Sequence, residues 1–385
     1  MTDGGHLLMD PGPVQLTDEV RNALAGPMVS HRSPEFENAH ATCQRGVAAA
    51  FGTDTVPVLI NGNGWVGVET AMAGVLRPDD DVVAVQTGKF GKENGDVAEQ
   101  YAPRVHRIRH EWGTPVDLGR LRNELTASTD VVTMVHCETS TGLVNSVHEV
   151  AALADEYDAL LFVDGVSSIG GEQFAFDEWG VDVAVTASQK ALGGPPGISA
   201  IALSDRARER ASSTGCPFSL DLGAYLDELE RNQTPSTAPV PIYFALAKAV
   251  EPFIESDADA RIALQRRLAS ALRAGMGVLG VEPFPRPNEY AKLSDTVQVL
   301  ALPDGVSEET MLNGLAARNV SIRGGLGRLE GETIRIATMG AKTGIDDIVR
   351  TIGAVGEVLV DEGQVLTSST VADARMTARE AFSDD

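Results

Sequence analysis

Short apolar runs alternate with longer amphipathic stretches along the first two-thirds of the chain. The runs at 56–60, 82–85, 131–135, 160–163, 181–185 and 198–203 are of strand length, rich in β-branched residues and flanked by Gly, Asp or Pro. Helical patterns fill the gaps, as at 68–76 and 147–157. The strand runs are continuously apolar rather than alternating, which predicts burial on both faces of a mostly parallel sheet covered by helices. Past about residue 240 the rhythm changes. Two long helical stretches (242–254 and 260–276) lead into predicted strands at 296–302, 320–323 and 333–337. A helix over 307–318 opens on Ser307 as N-cap, with Glu308 and Glu309 in its first turn. Apolar residues at 345, 348, 349, 352, 355, 358 and 359 form a stripe of helical period. The final stretch, 362–385, is polar and acidic without a core pattern, and is expected to be loosely held.

Length and composition sharpen this division. A chain of 385 residues exceeds what one hydrophobic core usually supports, so two domains are expected. Hydrophobic residues make up 43% and charged ones 22%, a globular profile. No apolar run reaches membrane-spanning length and the N-terminus has no signal-peptide pattern, so a cytoplasmic location is expected. Acidic residues outnumber basic ones 55 to 31, a net charge of −24, and only six of the basic residues are lysines. Such a surface repels nucleic-acid backbones and anionic lipid, so neither is an expected partner. It reads as adaptation to high salt, where screening removes the self-repulsion. Three scattered cysteines argue against a disulfide framework, and the seven histidines lack metal-ligand spacing.

Candidate chemistry begins at the loop Asn61-Gly-Asn-Gly-Trp-Val-Gly-Val-Glu69. Gly62, Gly64 and Gly67 satisfy G-x-G-x-x-G between a strand and a helix, where backbone N–H groups cradle an anion. The pattern alone leaves open a dinucleotide site, another phosphate site, or a turn that merely lets strand and helix pack closely. Two later segments narrow the choice. Asp164 closes a buried strand in Leu161-Phe-Val-Asp-Gly-Val-Ser-Ser-Ile-Gly-Gly171, and Lys190 follows the next in Thr186-Ala-Ser-Gln-Lys-Ala-Leu-Gly-Gly-Pro-Pro-Gly197. Strand ends of this kind line the ligand crevice of open α/β sheets. A lysine and an acid there suit pyridoxal chemistry: the lysine forms an imine and the acid keeps the pyridine nitrogen protonated. A strand-end cap and a solvated lysine are the plainer alternative.

These segments together resemble the class V aminotransferases of pyridoxal-phosphate fold type I, and among them the alanine–glyoxylate and serine–glyoxylate (serine–pyruvate) enzymes. The resemblance runs from Pro11-Gly-Pro13 and His31-Arg-Ser-Pro-Glu-Phe36 to Ile334-Arg-Ile-Ala-Thr-Met-Gly340. It implies an α/β fold with a mostly parallel seven-stranded sheet flanked by helices, plus a smaller C-terminal α+β domain. The expected divisions are an N-terminal segment (1–20) packing on the small domain, a large cofactor-binding domain (21–250), the small domain (251–361) and the acidic tail (362–385).

By the same resemblance, Lys190 carries pyridoxal 5′-phosphate as a Schiff base and shuttles a proton, and Asp164 pairs with the pyridine nitrogen. Asn63, Gly64, Trp65 and Gln189 hold the phosphate. Phe90 stands where the family usually has a tryptophan stacked on the ring, and Thr139 lies near the phenolic oxygen. Thr237 reaches the phosphate of a neighbouring subunit, which implies a homodimer with a shared site. Arg335 clamps the substrate carboxylate. His31 and Arg32 are candidates for the entrance, and Thr234 falls where relatives can offer a tyrosine. The implied reaction moves an amino group from alanine or serine to glyoxylate or pyruvate. Aminoethylphosphonate transamination, a cysteine desulfurase or lyase, and a dinucleotide-dependent oxidoreductase are the competing readings. No cysteine follows Cys216 to serve a desulfurase, and an oxidoreductase leaves Asp164, Lys190 and Arg335 unused.

Overall fold

The computed structural model describes residues 5–211, 216–255, 258–364 and 367–384. Residues 1–4 of the expected N-terminal segment and residues 365, 366 and 385 of the expected tail lie outside these. The central sheet has seven strands: β1 (Val58–Asn61), β2 (Asp81–Gln86), β3 (Arg104–Arg109), β4 (Val131–Val135), β5 (Leu160–Asp164), β6 (Val183–Ala187) and β7 (Ile198–Leu203). Their order across the sheet is β1-β7-β6-β5-β4-β2-β3. All adjacent pairs run parallel except those of β7, which is antiparallel to both β1 and β6.

The continuous apolar runs are explained by what covers them. Every residue of β4, β5, β6 and β7 is buried. Successive side chains of a strand point to opposite faces, and they feed two separate cores. Val132, Met134, Leu161 and Val163 join one apolar cluster, while Val131, Leu160 and Phe162 join the other. The sequence pattern misses β3. Its residues, Arg-Val-His-Arg-Ile-Arg, alternate at the sheet edge with only Ile108 fully buried, and charged edge positions guard against pairing with another chain.

The C-terminal part builds its own core around Leu272, Met276, Ile334, Ile336, Ile352 and Val355. An antiparallel sheet of β8 (Val297–Ala301), β9 (Arg323–Gly324) and β10 (Thr333–Ala337), in the order β8-β10-β9, packs with the helices Ala258–Val278, Glu308–Ala317 and Ile345–Asp361. Ser307 caps its helix as predicted, accepting from the Thr310 N–H at 3.1 Å. The run predicted as one strand at 320–323 divides. Val320–Ser321 pairs in parallel with Leu7–Leu8, whereas Arg323–Gly324 pairs with β10.

The tail requires correction. Expected to be polar and loosely held, it forms the helix Ser368–Asp384 packed on Ala258–Val278 and Ile345–Asp361. Val371, Ala374 and Ala378 are buried in the C-terminal core. Three small apolar residues at helical spacing among charged neighbours give a narrow stripe, too weak to stand out in sequence. Ion pairs of Arg375 with Glu357 (3.0 Å) and Arg379 with Asp346 (2.7 Å) flank it.

Candidate active site

The parallel strands end on one side of the sheet, and the reactive residues gather there. Asp164, the last residue of β5, stands beside Val135 of β4 and Val185 of β6. Lys190 lies three residues beyond β6, in a turn closed by the Gly194 N–H to Ser188 carbonyl bond at 2.8 Å. Asp164 is 6% exposed. Its Oδ1 accepts from the Val166 N–H at 3.0 Å and its Oδ2 from Asn94 Nδ2 at 3.3 Å. Burial pushes its carboxyl above the usual range; those two hydrogen bonds and the Lys190 charge pull it back. The Lys190 amine is held down to about 8, chiefly by desolvation and then by the Arg335 charge. It donates to the Pro11 carbonyl and, at 3.4 Å, to Ser167 Oγ.

The N-terminal segment thus forms a strap over the lysine. Its Gly12 has φ +99°, and a Cβ there would lie 2.7 Å from Lys190 Cδ, so only glycine lets the strap run against the lysine stem. The strap's Met9 carbonyl accepts from the Ala337 N–H of β10 at 2.7 Å, and its Val14 N–H donates to the Gln189 carbonyl at 3.2 Å. It therefore connects the strand carrying Arg335 to the turn carrying Lys190.

Opposite lies the glycine loop. Asn63 is the N-cap of the helix Gly64–Val75, its Oδ1 accepting from the Val66 N–H at 3.3 Å, which leaves the first amides facing the cleft. Trp65 stacks on Phe90 with ring centroids 6.2 Å apart and planes 24° from parallel. Thr139 Oγ1 and Ser167 Oγ are 2.6 Å apart. A cleft of about 180 Å³ is lined by Asn63, Gly64, Trp65, Phe90, Thr139, Asp164, Gln189 and Lys190, with Cys137 and Ser167 among their neighbours. Burial lifts the Cys137 thiol to about 12, so it stays protonated.

Eight of the ten site residues expected from sequence therefore line one cleft. The other two stand apart. Arg335 projects from β10, 8% exposed; its Nε donates to the Gly324 carbonyl at 2.8 Å, and among the described residues no carboxylate lies within ion-pair distance. Thr237 is exposed and does not line this cleft. Arg32 donates to Gln233 Oε1 at 2.5 Å and Thr234 to the Ser236 carbonyl at 2.6 Å, and neither they nor His31 line it. Sequence reasoning did not single out Ser167, Asn94 or Glu138. Ser167 lies within the quoted motif around Asp164, and Asn94 is one helical turn beyond Phe90, a spacing that could have pointed to it. Glu138 carried no such signal.

The family profile described as "Aminotransferase class-V" matches residues 15–335. The chain belongs to the class V aminotransferases. An uncharacterized aminotransferase of Methanocaldococcus jannaschii is 34% identical over 372 residues, 95% of each chain. The L-aspartate–glyoxylate aminotransferase of Paracoccus denitrificans is 33% identical over 343 residues, 86% of each. The crystal structure of a pyridoxamine–pyruvate aminotransferase from Mesorhizobium loti superposes with a TM-score of 0.92 at 25% identity, covering 99% of this chain and 98% of that one.

As a class V aminotransferase, the protein is a transaminase that uses pyridoxal phosphate. Its residues fit that group. The helix N-terminus at Gly64 suits a phosphate, the Phe90 face an aromatic ring, the buried Asp164 a protonated ring nitrogen, and the Lys190 amine an aldehyde. The Gln189 side-chain amide has its Oε1 buried without a partner among the described residues; turned over, the amide would present its NH2 to a phosphate instead. The glycine loop, the feature that suggested a dinucleotide, is part of this same cleft.

Proposed function

We propose that this aminotransferase takes the amino group of a small monocarboxylic amino acid, alanine or serine, and gives it to a 2-oxo acid such as glyoxylate or pyruvate, working as a homodimer. The observation that carries the donor class is the state of Arg335. It is a buried guanidinium with no carboxylate within ion-pair distance among the described residues, and its charge is felt at Lys190. Two other cations are neutralised: Arg323 pairs with Asp10 at 2.6 Å and Lys89 with Glu93 at 2.5 Å. One free fork implies one carboxylate to hold, bidentately, so that the substrate's Cα–H bond faces the lysine. Glyoxylate and pyruvate are the acceptors named for the Paracoccus and Mesorhizobium proteins.

When bound, the cofactor supplies an electron sink for the charge that develops at the substrate α-carbon. Lys190 would hold it through its ε-amine, and the same amine would move the proton at the substrate α-carbon. Asp164 would keep the ring nitrogen protonated, Phe90 would offer its face to the ring, and Thr139 with Ser167 would face the phenolic oxygen. Asn63, Gly64, Trp65 and Gln189 would hold the phosphate. Thr237 is exposed and outside its own cleft, which is compatible with a contribution to a partner subunit's phosphate site. The exposed apolar side chains of Met28, Phe218 and Trp65 add surface for a partner to cover.

A half-reaction screen tests the reading. Single amino acids are added to holoenzyme and the absorbance near ~420 nm, characteristic of the lysine-bound cofactor, is followed. Alanine and serine should bleach it, aspartate and 2-aminoethylphosphonate should not. Conversion by aspartate alone would replace the donor class, and elimination products without amino transfer would overturn the reaction. Light scattering at micromolar concentration should give a dimer mass.

A further inference from the structure

Asp164 is aimed by a side chain that makes no contact with the cleft itself. Asn94 is 1% exposed, lies on the helix Lys89–Tyr101 and is not among the cleft-lining residues. Its Nδ2 donates to Asp164 Oδ2, while the Val166 N–H takes Oδ1, so each carboxylate oxygen receives one donor from the protein and keeps lone pairs for the cleft. The amide has only one orientation that works, because turning it over would set two acceptors against each other. Its own Oδ1 is buried and finds no partner among the described residues. Burying that oxygen costs desolvation that a leucine of similar size would avoid. What the amide provides in exchange is its N–H.

The helix that carries Asn94 is itself pinned from outside. Gly88, its N-cap, has no side chain to cap with. The fully buried Glu138 does so from a neighbouring strand: Oε1 accepts from the Phe90 N–H at 3.2 Å and Oε2 from the Gly91 N–H at 3.0 Å. Ser140 secures the same carboxylate through its N–H (3.2 Å) and hydroxyl (2.5 Å), and its Oγ accepts from the Lys89 N–H at 3.0 Å. A Cβ at Gly88 would come within 2.4 Å of Glu138 Cδ, so the glycine makes the approach possible. Phe90 and Asn94, four residues apart, occupy one face of this helix. The ring face and the support of Asp164 are thereby set by a single rigid element.

We propose that Asn94 is the positioning residue for Asp164: held in register by the Glu138 cap, it fixes the carboxylate as the acceptor that faces the pyridine nitrogen. The proposal rests on the reading of Asp164 as the partner of that nitrogen. Removing the Asn94 donor leaves Asp164 buried with one stabilising hydrogen bond fewer, so its neutral form becomes easier to reach and the ring nitrogen loses its counter-charge.

The test uses Asn94→Leu, which keeps the volume and removes the donor, Asn94→Ala as a second variant should leucine overpack, and Asp164→Asn as the reference. Holoenzymes are reconstituted with cofactor labelled with ¹⁵N in the ring, and the nitrogen shift is followed against pH alongside the alanine half-reaction. In the wild type the ring nitrogen should be protonated at neutral pH. In both Asn94 variants its protonation should be lost at lower pH than in the wild type, and the half-reaction should slow by about tenfold, as for a weakened acid–base partner. A wild-type nitrogen titration in folded Asn94 variants overturns the proposal, as does slowing with an unchanged nitrogen signal, which would mark a purely structural role. If Asp164→Asn also leaves the nitrogen signal unchanged, the reading of Asp164 fails first; if it alone abolishes protonation, only the role of Asn94 fails.

Discussion

At Arg335 a buried cation has no carboxylate within ion-pair distance among the described residues. Arg335→Lys retains charge but not the planar fork, and Arg335→Ala retains neither. Loss of a charge-assisted bidentate contact of about 2–3 kcal/mol implies a fall in kcat/KM on the order of 10²-fold for Arg335→Ala, with a smaller fall for lysine. Steady-state kinetics with alanine checks this; undiminished activity in Arg335→Lys would mean that fork geometry is immaterial. Lys190 makes a separate prediction. Its amine titrates at about 8, below the ordinary lysine value of 10.5. Capture of pyridoxal phosphate by apoenzyme needs the neutral amine, so its rate should rise with pH and level off above 8, falling by roughly tenfold per unit below it. Stopped-flow absorbance would show this, and a midpoint near 10.5 would contradict the enclosed amine. At this scale the sequence was informative about groups that face the cleft, since strand-end placement and small flanking residues mark them. It was silent about Glu138, whose cap depends on a contact between elements separated by about fifty positions in the chain.

Elements were legible in proportion to how completely they are buried. The fully buried strands β4 to β7 are apolar on both faces and lie within a residue or two of the runs read from sequence, while β3, at the edge, reads as a charged loop. The Ser368–Asp384 helix escaped for a related reason, because its contact face is two alanines and a valine. That face is nonetheless part of the C-terminal core. Val371→Asp would bury a carboxylate against Gly356 and Leu279, and should cost on the order of 3 kcal/mol. Chemical denaturation should show an earlier transition, while Met376→Asp, at a position 55% exposed on the same helix, should leave it nearly unchanged. Equal stability of the two variants would return the tail to its expected loose state.

Across the whole molecule, the strap from Met9 to Val14 ties the C-terminal sheet to the turn carrying Lys190, through the Met9 carbonyl and the Val14 N–H. Among the described residues no helix is long and apolar enough to cross a membrane. The net charge of −24 is a property of the entire surface, and it motivates the proposal of salt adaptation. Raising KCl shortens the screening length from about 10 Å at 0.1 M to about 3 Å at 1 M and should relieve the self-repulsion. Thermal unfolding should move upward by several degrees, about what 1–3 kcal/mol represents in a chain of this size; a midpoint that falls or stays fixed with KCl would remove the adaptation. The arrangement of the site itself is tested most directly by reducing the holoenzyme with borohydride, digesting it and locating the cofactor by mass spectrometry. Pyridoxyl phosphate should be found on the peptide containing Lys190 and on no other of the six lysines. Its recovery on Lys292 or another lysine, or the absence of any labelled peptide from coloured enzyme, would contradict the active site described above.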